Sequence, residues 1–114
     1  MDECVFCKII AGEIPSERVF ENDSVLAFRD IAPQAPVHIL VVPKEHITSV
    51  ADITAVNSSL VAKCYEAIAE ISEKEDLKSG FRVITNSGAD GGQTVFHLHF
   101  HLLGGKSFGH GMVH

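Results

Sequence analysis

Three histidines at alternate positions form the segment of this 114-residue chain best suited to chemistry. His97, His99 and His101 are separated by single apolar residues, which is the two-residue period of a β-strand. We therefore expect a strand over residues 97–103, with the three imidazoles on one face and the intervening apolar side chains toward the core. Imidazole changes charge near neutral pH, so such a row can supply a nucleophile, an acid or a base.

Two other interpretations of the row remain open on the pattern alone. Histidines at alternate positions of a strand can converge on a zinc ion, and an ordinary half-exposed strand accepts any polar residue on its outer face. The preceding sequence favours phosphate chemistry, because a glycine-rich loop over residues 87–94 leads directly into the row. Glycines allow positive φ angles, and the backbone N–H groups of such a loop are predicted to be accessible to an anion. The loop lacks the Gly-Lys-Ser/Thr of a Walker motif.

Composition restricts the partners and the compartment. The net charge is −6 and lysine and arginine form no cluster, so no extended nucleic-acid partner is expected. No apolar run approaches the roughly 20 residues that span a bilayer, so no membrane partner is expected either. The first residues lack the basic and apolar regions of a signal peptide, which makes the cytoplasm the expected location. Three cysteines, an odd number, argue against a disulfide framework.

The pattern predicts two helices and five strands within a single domain, residues 1–114. The predicted helices cover residues 4–11 and 57–75, and the predicted strands cover residues 18–21, 25–29, 37–42, 81–86 and 97–103. The strand over residues 37–42 is apolar on both faces, which is typical of a central strand. His38 interrupts it, either as a hydrogen-bonded structural residue or as a neighbour of the histidine row.

The Cys4-x-x-Cys7 pair leaves three interpretations open. The two thiols could be small core residues one helical turn apart, or a redox motif, although no strand precedes them as it normally does in such motifs. They could also be half of a zinc site, which His46 and His97 would complete.

At His97–Leu103 the chain resembles the histidine triad superfamily, whose signature is His-φ-His-φ-His-φ-φ. Residues 6–105 resemble its nucleotide-binding branch. The similar segments are Lys8-Ile9-Ile10, Gly12-Glu13-Ile14-Pro15, Asp30-Ile31, Pro33-Gln34-Ala35-Pro36 and Gly91-Gly92-Gln93. The resemblance implies an α+β fold with a five-stranded antiparallel sheet and two helices, and a homodimer in which two sheets join into one of ten strands.

The resemblance further implies a hydrolase that cleaves nucleoside 5′-phosphoramidates or related nucleotide conjugates through a covalent nucleotidyl-histidine. His99 would be the nucleophile, and His101 would contact phosphate and assist proton transfer, with His97 and His38 as polar support. No metal is implied for catalysis, and a purine nucleotide such as AMP or GMP is the implied partner. The implied nucleotide-binding residues are Phe6, Ile9, Ile14, Ile31 and Leu40 around the purine, Asp30 at the ribose, and Asn86, Gly92, Gln93 and Thr94 at the phosphate, together with His99 and His101.

Some bacterial members of this superfamily hold a structural zinc, and Cys4, Cys7, His46 and His97 fit their ligand pattern. If zinc is bound there, His97 cannot also be a free acid or base. The chain departs from the branch in having no tryptophan, whereas the branch often ends in a tryptophan-proline-proline segment. The alternatives are a dinucleoside polyphosphate hydrolase, from a sister branch, and a zinc-stabilised nucleotide-binding or scaffold protein with little turnover.

Overall fold

The computed structural model describes residues 4–110, and its helices and strands follow the predicted order. They are α1 (Val5–Ile10), β1 (Arg18–Glu21), β2 (Val25–Arg29), β3 (Val37–Pro43), α2 (Ser58–Lys74), β4 (Phe81–Ile84) and β5 (Phe100–Gly104), with a short 3-10 helix at Val50–Asp52 between β3 and α2. All strand pairs are antiparallel, and the strand order is β1-β2-β3-β5-β4. The expected α+β fold with five strands and two helices is confirmed.

The central position of β3 follows from its apolar residues on both faces, as predicted. Ile39 and Val41 pack in the core under α2, whereas Leu40 and Val42 pack with Phe6 of α1 on the opposite face. The sheet therefore lies between a long helix and a short one. Within residues 4–110, neither helix is long and apolar enough to cross a bilayer.

The last strand is shorter than predicted, because β5 begins at Phe100 rather than at His97. Its pairing with β3 ends at the Val41–Phe100 pair. Beyond that point the Leu98 N–H donates to the carbonyl of Ile47 at 2.6 Å instead of continuing the ladder. The predicted alternation nevertheless persists, since Leu98 lies in the core under α2 and His97 faces away from it toward α1.

The strand β4 also ends before its predicted limit, at Ile84 rather than at Asn86. Ile84 pairs with His101, near the beginning of β5. The next contact between the two segments comes from a side chain, because the Thr85 hydroxyl donates to the carbonyl of His99 at 2.8 Å. The backbone around His99 is thus held by a side-chain hydrogen bond rather than by a strand ladder.

Candidate active site and metal centre

The imidazole of His99 has one nitrogen fixed by the backbone. Its Nδ1 lies 2.7 Å from the carbonyl oxygen of His97, and because a carbonyl can only accept, Nδ1 must carry the proton. Nε2 therefore holds a free lone pair. Burial lowers the pKa of His99, an effect that the His97 carbonyl and the Asp30 carboxylate oppose. His99 is neutral at pH 7, the form in which imidazole is a nucleophile.

His101 is oriented by a chain of hydrogen bonds that begins at the backbone. The Gln34 N–H donates to Nδ1 of His38 at 3.0 Å, which leaves the ring proton of neutral His38 on Nε2. That Nε2 lies 2.9 Å from Nδ1 of His101. His38 must then donate to His101, and neutral His101 must carry its own proton on Nε2. These hydrogen bonds therefore leave an N–H donor on His101 beside the lone pair of His99, and the two ring centroids are 5.1 Å apart.

Burial keeps His101 and His38 neutral at pH 7, because it lowers the pKa of both. Burial, and then the neighbouring His99 and His38, lower the pKa of His101 to about 4. Burial also lowers the pKa of His38, opposed by Asp30. The Nε2 of His38 is also 3.5 Å from Asp30 Oδ2, so ligand atoms of Asp30, His38 and His101 lie within 4.8 Å of one another. Because Gln34 holds the His38 proton on Nε2, this group is a hydrogen-bond network rather than a free set of metal ligands.

His99 and His101 line a cavity of about 340 Å³ between α1, β2 and the segment before β5. Nine of the expected nucleotide-binding residues line it: Phe6, Ile9, Ile14, Asp30, Ile31, Leu40, Thr94, His99 and His101. Its wall also includes residues that the sequence did not single out, namely Val5, Pro15, Ser16, Phe28, Arg29 and Val95. Most of them are sequence neighbours of predicted residues, and that adjacency is the signal that could have found them.

The glycine-rich loop is arranged differently from the expectation. The amides of Gly92 and Gln93 donate within the loop, to Ala89 and Gly88, at 3.0 Å each. The buried Gln93 side chain accepts from the Gly88 N–H at 2.9 Å and donates to the Thr48 carbonyl at 2.7 Å. The expected amide cradle is therefore not formed by these residues. Their hydrogen bonds stabilise the loop, and of the three loop residues expected at the phosphate only Thr94 lines the cavity.

Three further expected site residues lie outside the cavity wall: His38, His97 and Asn86. His38 acts through His101, as described above. His97 was expected to support catalysis, but its ring is fully buried, and both of its nitrogens are engaged elsewhere. What it supplies to the cavity is the backbone carbonyl that holds His99. Asn86 is half-buried, two residues beyond the end of β4.

Asp30 lies at the end of β2, where the chain leaves the sheet beside His38. Its Oδ1 accepts the N–H of Ala32 at 2.8 Å, which leaves Oδ2 on the side of the histidines. The carboxylate lines the cavity, so it can accept hydrogen bonds from hydroxyl groups of a bound molecule.

A second cluster of reactive side chains joins α1 to the histidine row. Ligand atoms of Cys4, Cys7, His46 and His97 all lie within 4.8 Å of one another. Nδ1 of His97 is 3.4 Å from Sγ of Cys4 and 3.6 Å from Sγ of Cys7, and Nδ1 of His46 is 3.4 Å from Sγ of Cys7. A tetrahedral zinc with Zn–S of about 2.3 Å and Zn–N of about 2.0–2.1 Å separates its S and N ligands by about 3.5 Å. The donor set and its spacing fit that ion.

The surroundings of the cluster favour metal binding as well. Nε2 of His97 donates to the carbonyl of Pro43 at 2.8 Å, which fixes the ring with Nδ1 toward the thiols. Burial, and then the Cys4 thiol, raise the pKa of Cys7 to about 11. A bound cation is what would hold that thiol as thiolate at neutral pH.

Comparison with known proteins agrees with the geometry. The family model for the HIT domain matches residues 11–108. The chain is similar to the purine nucleoside phosphoramidase of Escherichia coli strain K12, at 44% identity over 114 residues, which cover 99% of this chain and 96% of that protein. It is also similar to the solved structure of a HIT family hydrolase from Clostridium thermocellum, with 46% identity, a TM-score of 0.94 and 96% of each chain covered. A histidine triad protein from Clostridium difficile is 51% identical, with a TM-score of 0.91 over 96% of this chain and 95% of the other.

Proposed function

This chain belongs to the HIT family, and we propose that it hydrolyses purine nucleoside 5′-phosphoramidates or related nucleotide conjugates through a covalent intermediate on His99. The observation that carries the proposal is the pair of opposed tautomers at the cavity. His99 presents a lone pair on Nε2, and His101 presents a proton on Nε2. Substitution at phosphorus with an amine leaving group needs one of each.

The reaction would proceed in two displacements. Nε2 of His99 forms a bond to the α-phosphorus, and the bond from phosphorus to the amine breaks. The departing nitrogen takes the proton from Nε2 of His101, and the cationic nucleotidyl-imidazole on His99 stabilises the deprotonated neighbour by its charge. Water then attacks phosphorus, its proton returns to His101, and the nucleoside monophosphate leaves neutral His99 behind.

The rest of the cavity suits a purine nucleotide. Apolar side chains dominate the wall away from the histidines, including Phe6 of α1 and Leu40 of β3. Such a slot accepts the faces of a purine ring. Asp30 would hold the ribose hydroxyls, and Thr94 would donate to a phosphoryl oxygen. AMP and GMP are the expected products.

We also propose that Cys4, Cys7, His46 and His97 hold a structural zinc. The ion would fix α1 to the segment before β5 and take no part in the reaction. His97 would then act as a ligand through its ring and as a positioning residue through its carbonyl, not as an acid or base.

A homodimer is the third part of the proposal. The strand β4 is at one edge of the described sheet, and its Phe81 and Ile84 side chains are 42% and 36% exposed. Pairing of β4 with its copy would cover these side chains and give one ten-stranded sheet. Light scattering on the native protein and on Ile84→Lys should show a dimer and a monomer, respectively; a native monomer would refute the assembly.

The decisive experiment measures release of AMP from adenosine 5′-phosphoramidate by the native protein and by His99→Ala. Brief exposure followed by mass spectrometry without acid should show AMP attached to the peptide containing His99. A higher kcat/KM for a dinucleoside polyphosphate than for the phosphoramidate would instead indicate a dinucleoside polyphosphate hydrolase. Nucleotide binding without turnover, unchanged in His99→Ala, would instead identify a binding or scaffold protein.

A further inference from the structure

Among the described residues, the hydroxyl of Ser16 is the one buried side-chain oxygen or nitrogen without a hydrogen-bond partner. Buried polar groups in folded proteins nearly always have partners, because an unpaired one forgoes the hydrogen bonds it makes with water. Ser16 is therefore a position where the folded chain lacks a polar atom that a ligand could supply.

The location of Ser16 indicates which ligand atom that is. The residue belongs to the cavity wall and precedes β1, whereas His99 and His101 lie at β5. Two strands, β2 and β3, separate β1 from β5, which at a spacing of about 4.8 Å places Ser16 roughly 14 Å across the sheet from the histidines. A nucleotide whose phosphorus lies against His99 would extend its base toward Ser16.

Arg29 also lines this end of the cavity, but its guanidinium already donates to other residues. It donates to Glu17 at 3.2 Å and to Glu75 at 2.9 Å. Ile14 and Pro15, also in the wall, are apolar. Ser16 thus supplies a hydrogen-bonding group that no residue within 4–110 uses, in a mostly apolar slot. Turning the hydroxyl toward the cavity would break no existing bond, and serine has three staggered χ1 positions available.

We propose that Ser16 hydrogen-bonds the polar edge of the bound purine and so favours purine bases over an apolar ring in the slot. The proposal rests on the nucleotide hydrolase function proposed above. A hydroxyl both donates and accepts. Ser16 would therefore favour adenine and guanine alike over an apolar ring of the same shape, and would not distinguish the two purines from each other.

The test compares three ligands, AMP, GMP and benzimidazole riboside 5′-monophosphate, whose six-membered ring has no polar atoms. Calorimetry on the native protein should give tighter binding of AMP and GMP. In Ser16→Ala both should weaken about three- to tenfold, as expected for one net hydrogen bond, while the benzimidazole nucleotide should bind unchanged. Ser16→Thr keeps the hydroxyl and should keep the preference, and Ser79→Ala, at an exposed serine outside the cavity wall, should behave as the native protein.

Turnover and stability measurements distinguish this role from a structural one. With adenosine 5′-phosphoramidate, Ser16→Ala should raise KM and leave kcat unchanged, because the residue is remote from phosphorus. Its unfolding temperature should not fall, since the native hydroxyl has no partner to lose among the described residues. Equal weakening of all three ligands, or no weakening, would overturn the role of Ser16 and leave the hydrolase function intact. Failure of the native protein to bind any of them would overturn both.

Discussion

The carbonyl oxygen of His97 lies 2.7 Å from Nδ1 of His99, so the residue whose ring faces the thiols also fixes the proton of the proposed nucleophile. Phe6 adds a second connection, since its ring contacts both imidazoles, with centroids 6.0 Å from His97 and 5.0 Å from His99. Phe6 belongs to α1, which also carries Cys7 and has Cys4 as its N-cap residue. The thiol cluster and the nucleotide slot are therefore parts of one structural unit.

Removal of the metal should weaken both stability and activity. We expect about one zinc per chain in the purified protein, and we expect Cys7→Ala to lose it, to unfold at least about 5 °C lower and to lose about tenfold in kcat. Metal analysis, calorimetric unfolding and steady-state kinetics measure the three effects. Cys64→Ala is the matched control, because Cys64 lies on the buried face of α2, outside the cluster, and the variant should keep the metal. A native protein without zinc, or full activity of Cys7→Ala, would contradict this coupling.

Replacement of His38 should lower kcat more for substrates with an amine leaving group than for substrates with a nitrophenolate leaving group. In His38→Ala the ring of His101 loses the donor that fixes its tautomer, so proton donation to an amine becomes inefficient. We expect kcat to fall about 10²-fold with an alkylamine leaving group and much less with nitrophenolate, which departs without a proton. His38→Gln retains an N–H donor and should recover part of the rate. Equal losses for both leaving groups would refute the relay.

The free energy of unfolding should decrease as the pH falls, over a range set by the pKa of His101. Its pKa is about 4 in the folded protein, and that of an unperturbed histidine is about 6.5. Between these values the unfolded chain binds the proton and the folded protein does not, so the free energy of unfolding decreases as pH falls from about 6.5 to 4. His38 and His99 are shifted in the same direction.

Urea unfolding at pH 7 and pH 5 measures this dependence. His101→Asn removes one titrating group and should lose less stability between the two pH values than the native protein. Identical losses in both proteins would show that His101 titrates normally in the fold.

Loss of the Gln93 side chain should destabilise the glycine-rich loop. Gln93→Ala leaves the Gly88 N–H and the carbonyls of Thr48 and Val95 without their partner. We expect the free energy of unfolding to fall by about 2–3 kcal/mol and KM to rise, because Thr94 loses its support. Denaturant titration and kinetics measure the two effects. A raised KM with unchanged stability would indicate instead that Gln93 contacts the substrate directly.

Local spacing predicted the elements and the histidine row, whereas the role of each site residue was implied by the family resemblance. The alternation at His97–His101 and the apolar run of β3 are properties of short segments, which sequence reports well. The Cys4-x-x-Cys7 pair suggested its partners His46 and His97 by residue type, and the structure brings all four together.

The direction of hydrogen bonds could not be predicted in the same way. The tautomer of His101 depends on the backbone amide of Gln34, in a segment that the sequence related to the family without giving its hydrogen bonds. Gln93 was expected at the phosphate, but its side chain turns inward to Thr48, 45 positions earlier. The start of β5 depends on where β3 stops pairing. Each of these is set by contacts between segments distant in sequence, which no local pattern encodes.

Cys4 and His97 meet although 93 positions separate them in the chain. During synthesis the segment that forms α1 emerges before the strands, and a helix of six residues does not persist by itself in water. Closing so long a loop costs entropy that must be offset by contacts formed after the last strand is available. A nascent chain that has not yet reached His97 therefore has neither the complete cluster of Cys4, Cys7, His46 and His97 nor the complete cavity, and the proposed nucleotide site arises near the end of folding.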